Sequence, residues 1–444
     1  MRTITEFDGQ ALGNTAWAFA PLHLRDEPLI HAIASASLPK LSDFEATQNL
    51  SNLAWSLSPL RLAHGPLLEA ISTEAMRRMS ELISQQLANT AWAYASLECF
   101  HDPLSHAISS AALRRIADFA PTGSPEDVLF GVDLRGLGWA YSFSSTLAGS
   151  FDVLLQAAHQ RTGRAMDARR SGAASGGAAG AGVAGAAAGP PADSAVPRPA
   201  FEDARQGIAV ILKPPGWEVN DDGHPGCKQL LGYLRCRYPG SASVQDSDHA
   251  HGILHRLDVP SSGLVLVGTT FEGYCCLKWQ LDTARIAREY AVAVHGLSSP
   301  TLCMVDVPVH HIKEGCPARS VLPPTRSARR STVCEMGKPA LTWLRILVHS
   351  ERRLARHAVV AARIKTGRRH QIRAHLLHSF HPTVADGKYA DAVLLSSVRR
   401  RSSAAGSARL TTVSDALLGG REQFDPRQAH ACGGAPVPHP ALHG

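Results

Sequence analysis

Apolar residues recur at three- and four-residue steps through the first 160 residues, which is the spacing of amphipathic helices. Three segments repeat closely, QALGNTAWAFA, QNLSNLAWSLS and QQLANTAWAYA, and VDLRGLGWAYS is a weaker fourth copy. A second set, EPLIHAIAS, GPLLEAIST and DPLSHAISS, follows each of the first three copies. Each repeat unit is therefore predicted to form two helices. Because neither helix could bury its apolar stripe alone, we expect the units to stack into an all-α solenoid over residues 1–160.

A tryptophan marks the register of each unit. Trp17, Trp55, Trp92 and Trp139 follow one another at intervals of 38, 37 and 47 residues. The proline in each second segment suits a first helical turn, where a backbone N–H would have no partner within the helix. Large residues in helical register are more often core than ligand contacts. We therefore expect the tryptophans to be wedges between units rather than platforms for bases.

The 37 to 38 residue period resembles the octotricopeptide-type helical repeats of organellar RNA-binding proteins. The resemblance implies that this region holds RNA, and it points to a mitochondrion or a plastid as the location. The alternative is a scaffold whose repeats hold another protein.

The composition changes after the repeats. Sixteen of the residues 171–190 are Gly or Ala, which leaves few side chains to pack. We expect a flexible linker over residues 161–200 and a second domain from residue 201. In that domain the apolar run LVLVG follows Pro-Ser-Ser-Gly, so Asp258 is predicted on a loop that enters a buried strand. A carboxylate there suits a turn cap or an ion pair as well as chemistry.

Composition narrows the functional classes. The formal net charge is +7, and the segment from Glu351 to Arg373 carries eight Lys or Arg against one acidic residue. Concentrated positive charge around a glycine turn suits phosphate binding. Nine cysteines without a Cys-x-x-Cys pair argue against a disulfide scaffold or a zinc site. No run of about 18 apolar residues occurs, so we expect a soluble intracellular protein without a membrane segment.

Four motifs resemble those of the pseudouridine synthases of the large-subunit ribosomal RNA type, and they occur in the same order. They are KPPG at residues 213–216, HRLDVPSSG at 255–263, REYAVAVHG at 288–296 and TGRRHQIRAH at 366–375. The resemblance implies an α+β catalytic domain over residues 201–390 with a mixed, mainly antiparallel sheet. Residues 303–338 read as an insertion and residues 391–444 as a divergent tail. The chain is thus predicted to be multidomain.

The resemblance also implies the reaction, in which a uridine within ribosomal or transfer RNA is isomerised to pseudouridine without a metal or other cofactor. It assigns Asp258 as the nucleophile, Arg373 as the cation that keeps this aspartate ionised, and Tyr290 as the residue that packs against the target base. It assigns RNA binding to Arg256, Lys365, Arg368 and Arg369. The sequence departs from the family pattern at Arg288, where a lysine is usual, and at Asp386-Gly387. The alternative is a non-catalytic RNA-binding protein that uses the repeats for affinity. The oligomeric state stays open.

Overall fold

The computed structural model describes residues 4–22, 26–44, 46–143, 149–174, 196–219, 228–296, 301–311, 331–333, 337–352, 355–386 and 389. The chain divides into two compact units, Met1–Arg285 and Ile286–Gly444. The boundary falls inside the predicted catalytic domain. The predicted tail at residues 391–444 and most of the Gly/Ala-rich linker lie outside the described residues.

The first unit begins with a helical region. Its helices are α1 (Gly9–Leu22), α2 (Glu27–Ser37), α3 (Thr47–Leu60), α4 (Gly65–Arg77), α5 (Ser84–Ser96), α6 (Asp102–Asp118), α7 (Pro125–Phe143) and α8 (Gly149–Ala174). Short 3-10 turns occupy Ile4–Glu6 and Leu38–Asp43. The two predicted helices of each of the first three units are confirmed, with the prolines of α2, α4 and α6 in the first turn. We call residues 4–174 the N-terminal helical region.

The tryptophans of α1, α3, α5 and α7 are at most partly buried. Trp17 is 48% exposed. The ring of Trp92 packs against those of Trp55 and Trp139, with centroids 6.1 and 5.9 Å apart, and Trp139 stacks on Phe143 at 5.2 Å. The rings of α3, α5 and α7 therefore contact one another, but they lie partly exposed at the surface, and the expectation of a buried wedge is wrong for Trp17.

The rest of the first unit is an α+β arrangement. Its strands are β1 (Arg198–Asp203), β2 (Ile208–Lys213), β3 (Trp217–Glu218), β4 (Lys228–Gln229) and β5 (Gly263–Gly268). Its helices are α9 (Leu230–Arg237), α10 (Ala242–Gln245) and α11 (Phe271–Asp282), with a 3-10 turn at Ala250–Gly252. The order β1-β2-β5 forms an antiparallel sheet, and β3 pairs with β4 in parallel.

The second unit contains a larger antiparallel sheet of order β6-β11-β10-β7. Its strands are β6 (Arg288–His295), β7 (Met304–Asp306), β8 (Val309–His311), β9 (Ser331–Val333), β10 (Leu341–Arg352) and β11 (Ala355–Ile364), and its helix is α12 (Gln371–His378). Strands β8 and β9 form a separate antiparallel pair. Val294, Ala358 and Val360 pack with Leu376 of α12, so the helix covers one face of the sheet. The prediction of a helical part followed by a mainly antiparallel α+β part is confirmed.

Two elements extend across the predicted boundaries of the linker. Helix α8 continues to Ala174, so residues 161–174 are helical rather than linker, because Thr162 and Met166 in its Arg-rich end are still buried. Strand β1 begins at Arg198, ahead of the predicted residue 201. The segment predicted as an insertion contains β7, β8 and β9 in its described part. The described cysteines are free thiols, namely Cys99, Cys236, Cys275, Cys276 and Cys303. None of the helices in the described ranges is long and apolar enough to cross a membrane.

Candidate active site

Asp258 lies on the loop that leads into β5, as predicted. Leu257 beside it is buried and anchors the loop, while Asp258 itself is half-buried and Arg256 is exposed. The carbonyl of Asp258 accepts a hydrogen bond from the Ser261 N–H at 3.0 Å, which closes the Pro-Ser-Ser-Gly turn. The backbone after the aspartate is thus fixed by its own sequence, with the carboxylate outside the core.

The KPPG motif is hydrogen-bonded to this loop. The N–H of Gly216 donates to the carbonyl of Val259 at 2.8 Å. Gly216 has a φ of +81°, a left-handed conformation that favours glycine. The first two motifs, far apart in sequence, therefore meet at the residue that follows Asp258.

Lys213 is the centre of that support. Its side chain is fully buried, and Nζ donates to the carbonyls of Trp217, Pro214 and Val259 at 2.9, 3.1 and 3.4 Å. Burial lowers the pKa of Lys213 to about 8, and the Asp258 carboxylate acts in the opposite direction. A buried ammonium that ties three carbonyls together fixes the loop and places a positive charge behind the aspartate.

Tyr290 lies in β6, directly opposite Ala362 of β11. Side chains of opposed residues share a face, and side chains two residues apart along a strand point to the same side. Tyr290 is therefore on the side of Val292 and Val294, the face that α12 covers. It is half-buried. Within the second unit, the structure thus places Tyr290 and the helix that carries Arg373 on one side of the sheet.

Arg373 forms a two-pronged ion pair with Asp386. Nε and Nη2 each donate to a carboxylate oxygen at 2.7 Å, and the two side chains are only 15% and 9% exposed. Asp386 also accepts from the hydroxyl of Thr383 at 2.6 Å. The guanidinium carbon lies 4.6 Å from the centre of the Tyr389 ring. Arg373 is therefore oriented by groups of its own unit.

Asp386 is the site residue that sequence reasoning missed as a partner. The signal was an acidic residue 13 positions after Arg373, at a point where the motif pattern changes. The pair with Asp386 uses two of the five N–H donors of a guanidinium. The pairing of Arg373 with Asp258 remains a prediction, since these residues belong to different units.

The turn before α12 is held by Gln371. Its side-chain oxygen accepts from the Thr366 hydroxyl at 2.8 Å and from the Arg368 N–H at 3.0 Å, and its amide donates to the Leu341 carbonyl at 2.9 Å. The helix begins at Gln371, and His370 before it has a φ of +53°. His370 therefore lies outside the helical face of Arg373 and Leu377, because its left-handed backbone precedes the first residue of the helix.

The predicted RNA-binding side chains differ in exposure. Lys365 and Arg368 are exposed, and Arg369 is half-buried. Arg288 donates to the Lys365 carbonyl at 2.8 Å and lies over Gly367, where a Cβ would stand 2.6 Å from its Nη1. The REY and TGRRHQIR motifs thus meet at this turn. In contrast His375 of α12 is buried, with its ring nitrogens hydrogen-bonded to the Thr342 hydroxyl and the Val307 carbonyl.

Comparison with known proteins supports the motif analysis. The family model described as RNA pseudouridylate synthase matches residues 207–378. The "Ribosomal large subunit pseudouridine synthase D" of Pasteurella multocida (strain Pm70) is 33% identical over 182 residues, which cover 41% of this chain and 50% of that protein. The protein of the same name from Yersinia pestis is 36% identical over 189 residues, with the same shares. The chain spans about half the length of these relatives.

The solved structure of "Human RNA Pseudouridylate Synthase Domain Containing 1" covers 55% of this chain and 97% of its own, at 18% identity and a TM-score of 0.35. The residues that the family model matches include all four motifs. Over residues 207–378 the chain is therefore similar to the RNA pseudouridylate synthase family.

Proposed function

We propose that this protein is an RNA pseudouridine synthase that isomerises specific uridines in structured RNA, with Asp258 as its nucleophile. The observation that carries the proposal is the Asp258 loop, which is fixed by its turn and by Lys213 inside a segment that matches the synthase family. The names of the relatives favour ribosomal RNA as the substrate, with transfer RNA as the second choice.

The reaction conserves every atom of the nucleotide. The carboxylate of Asp258 bonds to C1′ of ribose as the bond from C1′ to N1 of uracil breaks, and the electron pair of the broken bond leaves with uracil. The detached base turns and its C5 bonds to C1′, while the bond between Asp258 and C1′ breaks and returns its electron pair to the carboxylate. C5 then loses its proton and N1 gains one, so substrate and product are isomers.

The remaining residues take the roles that the family resemblance implies. Arg373 keeps the aspartate ionised, since guanidinium stays charged in a desolvated site and can contact more than one carboxylate. Tyr290 packs against the target base. Arg256 holds the nucleotide out of its stack, which costs a few kcal/mol. Lys365, Arg368 and Arg369 bind phosphates.

Charge favours the catalytic part of the chain as the RNA-binding surface. Residues 1–160 contain nine Lys or Arg against sixteen Asp or Glu, whereas the rest of the chain contains 36 against 22. Polyanion binding depends on positive charge. The N-terminal helical region, which we propose to be a solenoid of repeated helix pairs, is therefore a weaker candidate for holding RNA than the basic segment around Gly367.

The test is to incubate the purified protein with total RNA and to map pseudouridine at single-nucleotide resolution. We expect new pseudouridine at defined positions with the wild type and none with Asp258→Asn. The matched control is Asp248→Asn, which changes an exposed carboxylate of the same unit and should leave the pattern intact. A non-catalytic RNA-binding protein would form no pseudouridine with any variant, and that result would overturn the proposal.

A further inference from the structure

Helix α8 of the N-terminal helical region caps helix α11. Helix α11 lies in residues 207–378, the synthase segment, which the family model matches. The carboxylate of Asp167 accepts hydrogen bonds from the backbone N–H groups of Phe271 and Glu272, both at 2.9 Å. These groups belong to the first turn of α11, whose N–H groups have no partner within the helix. The hydroxyl of Thr270 accepts from the next one, Gly273, at 3.0 Å. The cap of α11 is thus shared between its own sequence and a residue 104 positions earlier.

The two parts also share a core. Trp279 of α11 is fully buried and belongs to the apolar cluster that runs through the helical region from Leu12 to Ala158. It occupies a position in this core that another helix of the region would otherwise fill. Stacked helices need such a cover at each end, because the last one would leave an apolar face in water.

Two glycines make the close approach of α11 possible. A Cβ on Gly138 of α7 would stand 2.4 Å from the Trp279 ring. A Cβ on Gly163 of α8 would stand 2.6 Å from the Phe271 carbonyl oxygen and 2.8 Å from the Glu272 Cα. The second contact is with backbone atoms, which cannot move away as the end of a flexible side chain can. The surface of the helical region is therefore shaped to fit α11.

Polar contacts surround the buried centre. Arg164 pairs with Glu272 at 2.5 Å, and Arg285 pairs with Asp152. Ser142 donates to the Thr283 carbonyl at 3.0 Å. The junction has an apolar centre and a polar rim, which is the anatomy of a specific interface.

This junction is connected to the Asp258 loop. Leu277 of α11 packs with Ile208 of β2 and with Leu254, which precedes the loop. The N–H of Leu254 donates to the Leu266 carbonyl of β5 at 3.0 Å. A displacement of α11 would therefore reach the strand and loop that position Asp258.

We propose that the N-terminal helical region is a fixed part of the synthase, joined to it through the α8–α11 junction rather than through the Gly/Ala-rich segment, and that it limits which RNA can reach Asp258. The proposal rests on the proposed function for its second half only. An acidic region that is fixed to α11 repels RNA whose phosphates would approach it, whereas a tethered region would move away. Gly163 and Asp167 are thus positioning residues.

The first experiment tests the junction in the full chain. Residues 181–187 are replaced by a protease recognition sequence, and the chain is cleaved there. We expect the two fragments to co-elute in size-exclusion chromatography. Fragments that separate from the cleaved wild-type sequence would overturn the proposal, whether or not the protein forms pseudouridine.

The second experiment weakens the junction without harming α8. Gly163→Ala favours the helix itself but meets the α11 backbone. Overpacking of this kind typically costs about 1–3 kcal/mol, so the dissociation constant of the cleaved fragments should rise roughly 5- to 150-fold. The matched control is Gly65→Ala in α4, where no atom lies within 4 Å of the added Cβ. An unchanged dissociation constant for Gly163→Ala would contradict the proposal.

The third readout is selectivity, measured with the uncleaved chain. Asp167→Ala, which removes only the shared cap, serves as a second variant if Gly163→Ala does not fold. We expect these variants to gain sites in long structured RNA through a lower KM. A displaced Asp258 loop would lower kcat equally on that RNA and on a short single-stranded uridine oligonucleotide, so selectivity is measured as the ratio of kcat/KM between the two substrates. A site pattern identical to the wild type in a variant whose junction is weakened would refute the selective role. Absence of pseudouridine from the wild type as well would instead refute the proposed function.

Discussion

The alkaline limit of activity should be set by Lys213. Its ammonium supplies the three hydrogen bonds that fix the Asp258 loop, and its pKa is lowered to about 8. With that pKa, about nine-tenths of the molecules carry the ammonium at pH 7 and about one-tenth at pH 9. The uncharged amine has two N–H donors for three carbonyls and no charge beside Asp258. We therefore expect the rate of pseudouridine formation to fall about tenfold between pH 7 and pH 9.

The stability of the protein should change in the opposite direction. The unfolded lysine has a pKa near its ordinary value of 10.5, so between pH 8 and 10.5 the unfolded state binds more protons at this position than the folded state. Stability rises with pH wherever this holds. The contribution of Lys213 to the free energy of unfolding therefore increases over the window in which activity is lost. A thermal melt at each pH separates the loss of activity from unfolding.

The assay is a pH–rate profile under single-turnover conditions for the wild type and for Lys213→Met. The variant should have a lower single-turnover rate at pH 7, and its rate should not fall near pH 8. Any titration of the RNA appears in both profiles and cancels in their ratio. Lys228→Met, at an exposed lysine of the same unit, is the control and should keep the wild-type profile. An identical alkaline limb in the wild type and in Lys213→Met would refute the reasoning.

Three further predictions concern groups outside the loop. Arg373→Lys cannot keep the two-pronged ion pair with Asp386. Losing one charge-assisted hydrogen bond of about 1.5–3 kcal/mol should lower kcat/KM by roughly 10- to 100-fold, and wild-type kinetics would contradict this. Trp279→Ala should lower the free energy of unfolding by about 3–5 kcal/mol in denaturant titrations, because it empties the shared core; a change below about 1 kcal/mol would show that the site is not packed. His159 is almost completely buried and desolvation lowers its pKa to about 3, so the free energy of unfolding should fall as the pH drops below about 6.5. His159→Phe should reduce this loss of stability in acid, and an unchanged loss would show that His159 does not cause it.

Local features were predictable from the sequence. The helix pairs appear at the predicted tryptophans and prolines, and the loop of Asp258 enters a strand at Gly263 as the turn chemistry indicates. These features depend on periodicity and turn residues, which act over a few positions.

Long-range partnerships were not predictable. Asp386 follows Arg373 after a turn whose path no local pattern specifies, so its role as the ion-pair partner became visible only in three dimensions. The Gly/Ala-rich composition suggested independent parts, yet Asp167 and Trp279 join them. Neither residue stands out in the sequence, because a cap and a core wedge are defined by what they contact.

The most direct test of the central claim is the release of tritium from RNA labelled at C5 of uridine, since formation of the bond between C5 and C1′ expels the hydrogen on C5. We predict stoichiometric release by the wild type and no release by Asp258→Asn, with RNA affinity unchanged at the same salt concentration. Release by Asp258→Asn at the wild-type rate would contradict the assignment of this carboxylate as the nucleophile.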